Sequence, residues 1–155
     1  DWPKSFPNAD SDVQAFLVGA KITTIRRRAK VLLIDLDSGY SLVIHLKMTG
    51  QLVYRSKRNN NNFGAGHPNA SLVGELPDRS TRVILELDEG TLYFNDQRKF
   101  GWMRLMPTIE IEQLDFFKKV GPEPLAADFT PVLFIERLER RKKAHGTPPR
   151  SWVTF

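Results

Sequence analysis

The feature that most constrains this chain is a rhythm. From Ala20 to Met106, short apolar or alternating runs follow one another, most of them closed by Gly, Asp, Asn or Ser. A period of two puts successive side chains on opposite faces of a strand, and strands joined by short turns pair antiparallel; a parallel sheet would need helical crossovers between them. The runs predict strands over 20–28 and 30–37, a turn at Ser38-Gly39, a strand over 40–48, a break at Gly50 and a strand over 51–55, as in a meander. Strands resume over 81–88, turn at Glu89-Gly90 and continue through 91–95 and 100–106, with Asp96 to Lys99 as the connecting tip. Between them, 56–80 holds Asn59-Asn60-Asn61-Asn62, several glycines and two prolines. It is expected to be a long surface loop spanning two sheet edges, with little to order it by itself.

Helical signals lie at the ends of this region. Ser11 or Asp12 is a candidate cap for a short helix over Val13, Phe16 and Leu17, and 110–120 has apolar residues near helical spacing. Thr130 as cap and Pro131 in the first turn predict a helix through Leu133, Ile135 and Leu138 to Lys143, with a cationic last turn. A chain of 155 residues, 41% hydrophobic, has room for one domain with a core and little for a second. It contains no cysteine, which excludes disulfides and thiolate zinc sites. No apolar run approaches the roughly 20 residues of a membrane span and no signal-peptide pattern opens the chain, so a cytoplasmic protein without a membrane partner is expected. The formal charge of +5 favours an anionic partner, with nucleic acid as one candidate.

Three segments carry possible chemistry: His45-Leu46-Lys47-Met48-Thr49-Gly50, Phe94-Asn95-Asp96-Gln97-Arg98-Lys99-Phe100-Gly101 and Gly121-Pro122-Glu123-Pro124-Leu125. The second delivers an Arg and a Phe two residues apart from a turn that closes two apolar strands. An Arg fork can pair with base edges, and a Phe can wedge into a base step. Read blandly, Arg98 pairs with Asp96 in the turn, Phe100 shares a strand face with Trp102 in the core, and Met48 fills a gap. Asn95 and Asp96 read as turn formers, since both side-chain types bond their own backbone in tight turns. His45 has no carboxylate or nucleophile pattern beside it, so it is not read as catalytic. The run Arg26-Arg27-Arg28 could meet a duplex in part, or could simply charge an edge strand against aggregation. Lys142 and Lys143 could reach phosphates, or could answer the helix dipole.

Taken in order, the three segments resemble the N-terminal domain of the formamidopyrimidine-DNA glycosylase (Fpg/Nei) family, whose members carry HLxMxG, FNDxRxFG and GPEPL at about this spacing. The resemblance runs from about Asp1 to Lys143. It implies a mainly β fold, a two-layer antiparallel β-sandwich with flanking helices. It also implies an incomplete β-sandwich domain over 1–125, a linker and the start of a helix-two-turn-helix region over 126–144, and an aberrant or truncated tail over 145–155. By the same resemblance Arg98 faces the base left unpaired, Phe100 wedges beside it and Met48 fills the space of a flipped nucleotide. Lys30 and His45 grip flanking phosphates, Lys47 assists, and Lys99 belongs to the same basic tip. The implied partner is double-stranded DNA containing oxidised bases or abasic sites, bound by a monomer.

The implied activity is base-excision repair by a bifunctional DNA glycosylase/AP lyase acting on oxidised purines, formamidopyrimidine and 8-oxoguanine among them. In the family an N-terminal Pro amine attacks the sugar C1′ and the strand is cut through a Schiff base by β,δ-elimination. This chain reads Asp1-Trp2-Pro3-Lys4 and lacks the Pro-Glu start. No catalytic residue is therefore assigned, and a DNA-binding fragment inactive alone is expected. The family continues into a four-Cys zinc finger, where this chain reads His145 to Phe155 instead; the structural zinc belongs to the full-length family, and neither a metal nor another cofactor is expected here. The rival expectation is a non-catalytic β-sandwich module that binds damaged or distorted DNA.

Overall fold

The structure is a computed structural model and describes residues 4–59 and 62–145. The chain divides into two compact units, 1–119 and 120–155. The first holds eight strands: β1 (Ile22–Arg28), β2 (Val31–Leu36), β3 (Tyr40–His45), β4 (Gly50–Ser56), β5 (Phe63–Gly66), β6 (Thr81–Leu87), β7 (Gly90–Asp96) and β8 (Trp102–Pro107). They form two four-stranded antiparallel sheets, ordered β1-β2-β3-β8 and β5-β4-β7-β6. The fold is the mainly β, two-sheet architecture expected.

The strands β2 and β3 are buried on both faces, which is why they read as nearly unbroken apolar runs. On one face Ile34, Leu36, Leu42, Ile44, Met103 and Leu105 meet Phe94, with Leu52, Val83, Leu85 and Leu92 packed against them from the other sheet. On the other face Val31, Leu33 and Val43 are covered by Ile111 and Phe117. These two come from a 3₁₀ turn (Thr108–Gln113) and from helix α2 (Asp115–Lys119). The single helix expected over 110–120 is thus divided, with Leu114 extended at ψ 134°. A continuous helix advances about 100° per residue and would point Ile111 and Phe117 about 120° apart. The break lets both reach one sheet face.

Helix α1 (Asp10–Phe16) begins before Ser11, with Ala9 at the cap position and no side-chain cap; Asp10 and Asp12 sit in its first turn, where the helix dipole favours them. Phe16 stacks on Tyr40 with ring centroids 3.8 Å apart. The residues before α1 dress the open edge of β8. Met103 N–H donates to the Ser5 carbonyl at 2.8 Å, and the Asn8 side chain both donates to and accepts from the Leu105 backbone. At the opposite edge, β1 is a charged strand: Arg26 binds Asp35 at 2.7 Å and Arg27 donates to the Ala29 carbonyl. That is the edge-protecting arrangement.

The described residues within 56–80 are more ordered than expected. They contain the end of β4, all of β5 and a 3₁₀ turn (Ala70–Leu72) capped by Asn69, whose Oδ1 accepts from Ser71 N–H at 2.9 Å. Ser71 and Ser80 hydroxyls both donate to Asp78, and the buried Gln51 donates to Asn69 Oδ1 and to the His67 carbonyl. Asn69, Ser71, Asp78 and Ser80 thus satisfy one another, with Gln51, and hold this part of the segment down. It does run from one edge of its sheet, β5, to the other, β6, as expected.

In the second unit, turns over 123–129 lead into α3 (Pro131–His145). Thr130 Oγ1 accepts from Leu133 N–H at 3.2 Å, the expected cap. The side chains of Arg141, Lys142 and Lys143 and the chain after His145 lie outside the described residues, and with them the expectations of a cationic last turn and an aberrant tail.

Candidate nucleic-acid interface

Sequence rhythm alone makes 46–49 and 97–101 look like turns within one sheet. In the structure they are corners between sheets: β3 and β4 belong to different sheets, and so do β7 and β8. The strand over 40–48 stops at His45, Gly50 opens β4 instead of breaking a strand, and β8 starts only at Trp102, leaving Phe100 outside it. Because β3 pairs with β8 (His45 opposite Trp102) and β4 with β7 (Gly50 opposite Asp96), the two corners run side by side. Val31 pairs with His45, so the β1–β2 turn at Ala29-Lys30 reaches the same end. Each of the three tips holds a non-glycine residue at positive φ: Ala29 at 51°, Lys47 at 54° and Lys99 at 59°. Such backbone costs energy and persists where surrounding contacts impose it.

The corners bring Met48, Arg98 and Phe100 into contact. Arg98 Nη1 lies 3.5 Å from Met48 Sδ, and its guanidinium sits over the Phe100 ring at 5.1 Å from the centroid. Met48 is 66% exposed and Phe100 57%, so neither is core; two large apolar side chains and a cation project together from one end. The core placement of Phe100 beside Trp102 does not hold. Nor does the side chain of Arg98 pair with Asp96: only its backbone N–H reaches that carboxylate, at 3.2 Å, which is the Asx-turn role expected of Asp96. Asn95 is not a turn residue; it is buried in β7 and accepts from the Thr81 hydroxyl.

The glycine closing each motif has a steric reason. A Cβ on Gly50 would lie 2.3 Å from the Leu46 carbonyl oxygen, and one on Gly101 would lie 2.9 Å from the buried ring of Phe94 and 3.1 Å from Asp96 Oδ2. Beside the corners, His45 is buried, its ring against Trp102 and Phe116. Its Nδ1 accepts from Lys47 N–H at 3.0 Å, which assigns the proton to Nε2. Burial, and then the charges of Lys47 and Lys30, hold its pKa below the usual imidazole value. It is therefore a neutral donor close to two lysines. Lys30, Lys47, Arg98 and Lys99 are all exposed at this end. At the far end of the second sheet Lys57 and Arg58 are paired with Glu86 and Glu89. Exposed cations gathered at one end favour an anion there.

Residues 2–103 match the family model described as the formamidopyrimidine-DNA glycosylase N-terminal domain. The chain belongs to this family. A formamidopyrimidine-DNA glycosylase of Chloroflexus aurantiacus is 41% identical over 143 residues, covering 92% of this chain and 45% of that protein; one of Desulfitobacterium hafniense is 33% identical over 144 residues. Among solved structures, the Lactococcus lactis formamidopyrimidine-DNA glycosylase non-covalently bound to DNA containing an AP site superposes with a TM-score of 0.67 at 26% identity, covering 90% of this chain and 47% of that one. A MutM structure in complex with DNA containing carbocyclic 8-oxo-G gives a TM-score of 0.66. The chain spans about half the length of these relatives.

In this family member the corner residues named from sequence, Met48, Arg98 and Phe100, come together, with Lys30, His45 and Lys47 beside them. Sequence reading missed the part played by Thr49 and went only part-way with Asp96, whose carboxylate ties the two corners to each other. The chain has no cysteine, and no group of three His, Cys, Asp or Glu among the described residues could hold a metal. No helix among the described residues is long and apolar enough to cross a membrane.

Proposed function

We propose that this domain grips double-stranded DNA at the corner end of the sandwich and probes it for an oxidised or missing base, as the DNA-engaging part of a bifunctional glycosylase/AP lyase of base-excision repair acting on formamidopyrimidine and 8-oxoguanine. The observation that carries the proposal is the contact of Met48, Arg98 and Phe100 on two adjacent corners. An exposed thioether and an exposed ring can occupy an opened base step, and a guanidinium between them can pair with the orphaned base. Lys30, Lys47 and the Nε2–H of His45 would hold phosphates on either side. Solved relatives whose names record bound AP-site and 8-oxo-G DNA support the choice of partner. The work is placed in the cytoplasm, where bacterial chromosomal DNA lies, and no cofactor is assigned to it.

The test is equilibrium binding to a duplex carrying a tetrahydrofuran abasic analogue, against the same duplex intact. The chain should prefer the abasic duplex, and Arg98→Ala should weaken that preference by about tenfold or more, a base contact being worth about 1–3 kcal/mol. Equal affinity of the parent chain for both duplexes would remove the proposal. Borohydride trapping on a natural abasic site then asks whether any amine of this chain reaches C1′.

A further inference from the structure

We propose that Asp96 is a positioning residue that couples the two corners, so that Met48 on one and Arg98 with Phe100 on the other meet DNA as a single rigid probe. The inference rests on the DNA-binding proposal above and assigns a role to a buried carboxylate that touches no DNA itself. Asp96 is the last residue of β7 and only 1% exposed. Its Oδ1 accepts from the Thr49 hydroxyl at 2.5 Å and from Arg98 N–H at 3.2 Å, and its Oδ2 accepts from Gly101 N–H at 2.6 Å. One donor therefore comes from the first corner and two from the second, and those two bracket Lys99 and Phe100. Thr49 Oγ1 also accepts from Arg98 N–H at 3.3 Å, which closes a ring across both corners.

The backbone of Asp96 is fixed as well. Its N–H donates to the Ser80 carbonyl at 2.8 Å and its carbonyl accepts from Arg82 Nε at 2.9 Å. The carboxylate thus stands on a clamped strand end and holds both corners, beside the direct contacts of Arg98 with Thr49 and Met48. Ionised, it can accept from all three donors at once, which an amide of the same size cannot. Probes that enter a base stack gain from such preorganisation, because less freedom is lost on binding.

The experiment uses the full chain with Asp96→Asn, which keeps the size and loses one acceptor, and Thr49→Val, which removes only the link from the first corner. Binding is measured on the abasic-analogue and intact duplexes, with 2-aminopurine opposite the analogue to report unstacking. In Asp96→Asn the preference for the abasic duplex should fall about tenfold and the aminopurine signal with it, while affinity for intact duplex stays within about twofold. A smaller loss in the same direction is expected for Thr49→Val. Retention of the preference in Asp96→Asn, or equal weakening on both duplexes, would overturn the proposal and leave Asp96 as a turn former. Amide exchange of the free protein separates the two claims. Thr49→Val should speed exchange at Arg98, Phe100 and Gly101, though Thr49 lies on the other corner. Unchanged exchange there overturns the coupling even if DNA binding stands; a parent chain indifferent to the abasic site overturns the DNA proposal, and the exchange result still decides the coupling.

Discussion

His45 shows how a single side chain is tuned by its place. It occupies a strand end that is buried, and both nearby charges, Lys47 and Lys30, are positive, so every cause pushes its pKa down from about 6.5. The pKa being lower in the folded state, the unfolded chain binds the extra proton first. Stability is therefore unaffected by this group well above pH 6.5 and declines as pH falls below it, because protonation in the fold meets burial, two lysines and the loss of the Lys47 N–H bond. His45→Gln should flatten the stability curve between about pH 7 and 5, measured by urea unfolding at several pH values. Parallel curves for the two proteins would show that the imidazole is not held neutral. The same neutrality would give the proposed DNA site a donor that does not add to the local positive charge.

At the scale of elements, what holds an edge strand is the question β1 raises. Arg26 Nε and Nη2 grip the Asp35 carboxylate at 2.7 and 3.3 Å, and Ser41 on β3 donates to the same group at 2.6 Å, so one side-chain cluster crosses three strands. The Arg26 hydrogen bond is the main reason the Asp35 pKa lies below the usual carboxylate range; burial opposes it and Ser41 assists. The pair is partly solvated, so Arg26→Ala should cost only about 0.5–1 kcal/mol. It should accelerate hydrogen exchange across β1 while leaving β3 protected. A depressed carboxyl pKa contributes stability above its normal range and loses it in acid, and Arg26→Ala should shrink that acid loss. The charged edge was readable from Arg26-Arg27-Arg28, and the strands from their period, because both are local properties. The sheet switches at 46–49 and 97–101 were not. A period of two is the same whether the next strand pairs with its predecessor or crosses to the other layer. Nor was the order of 67–80 readable, since Asn69, Ser71 and Asp78 find partners in one another and in Gln51, an arrangement set only once β4 is in place. The motifs picked out Met48, Arg98 and Phe100, which the structure brings into contact, but the tie between Thr49 and Asp96 spans 47 positions of sequence and has no local signature.

For the whole molecule, the distribution of charge matters more than its sum. The excess of +5 is modest, yet at the far end of the sandwich Lys57 and Arg58 face Glu86 and Glu89, whereas the corner end gathers exposed Lys30, Lys47, Arg98 and Lys99. A duplex approaching this molecule should be oriented by that polarity before any base is tested. Holding and probing should then separate experimentally, because phosphate contacts release counterions and an apolar side chain does not. Each lost phosphate contact lowers the log–log salt slope of binding by about 0.9. Lys30→Ala should therefore reduce the slope by about one contact on intact and abasic duplexes alike, without changing the preference between them. On the proposed reading Met48→Ala should do the reverse, leaving the slope unchanged and eroding the preference, since an uncharged thioether releases no counterion and would fill space only where a nucleotide has left the stack. Affinities measured over a salt series for both variants on both duplexes give the four slopes needed. If Lys30→Ala altered the preference as strongly as Met48→Ala, the basic group and the corner probes would be acting as one site, and the division of labour between gripping and probing would be wrong.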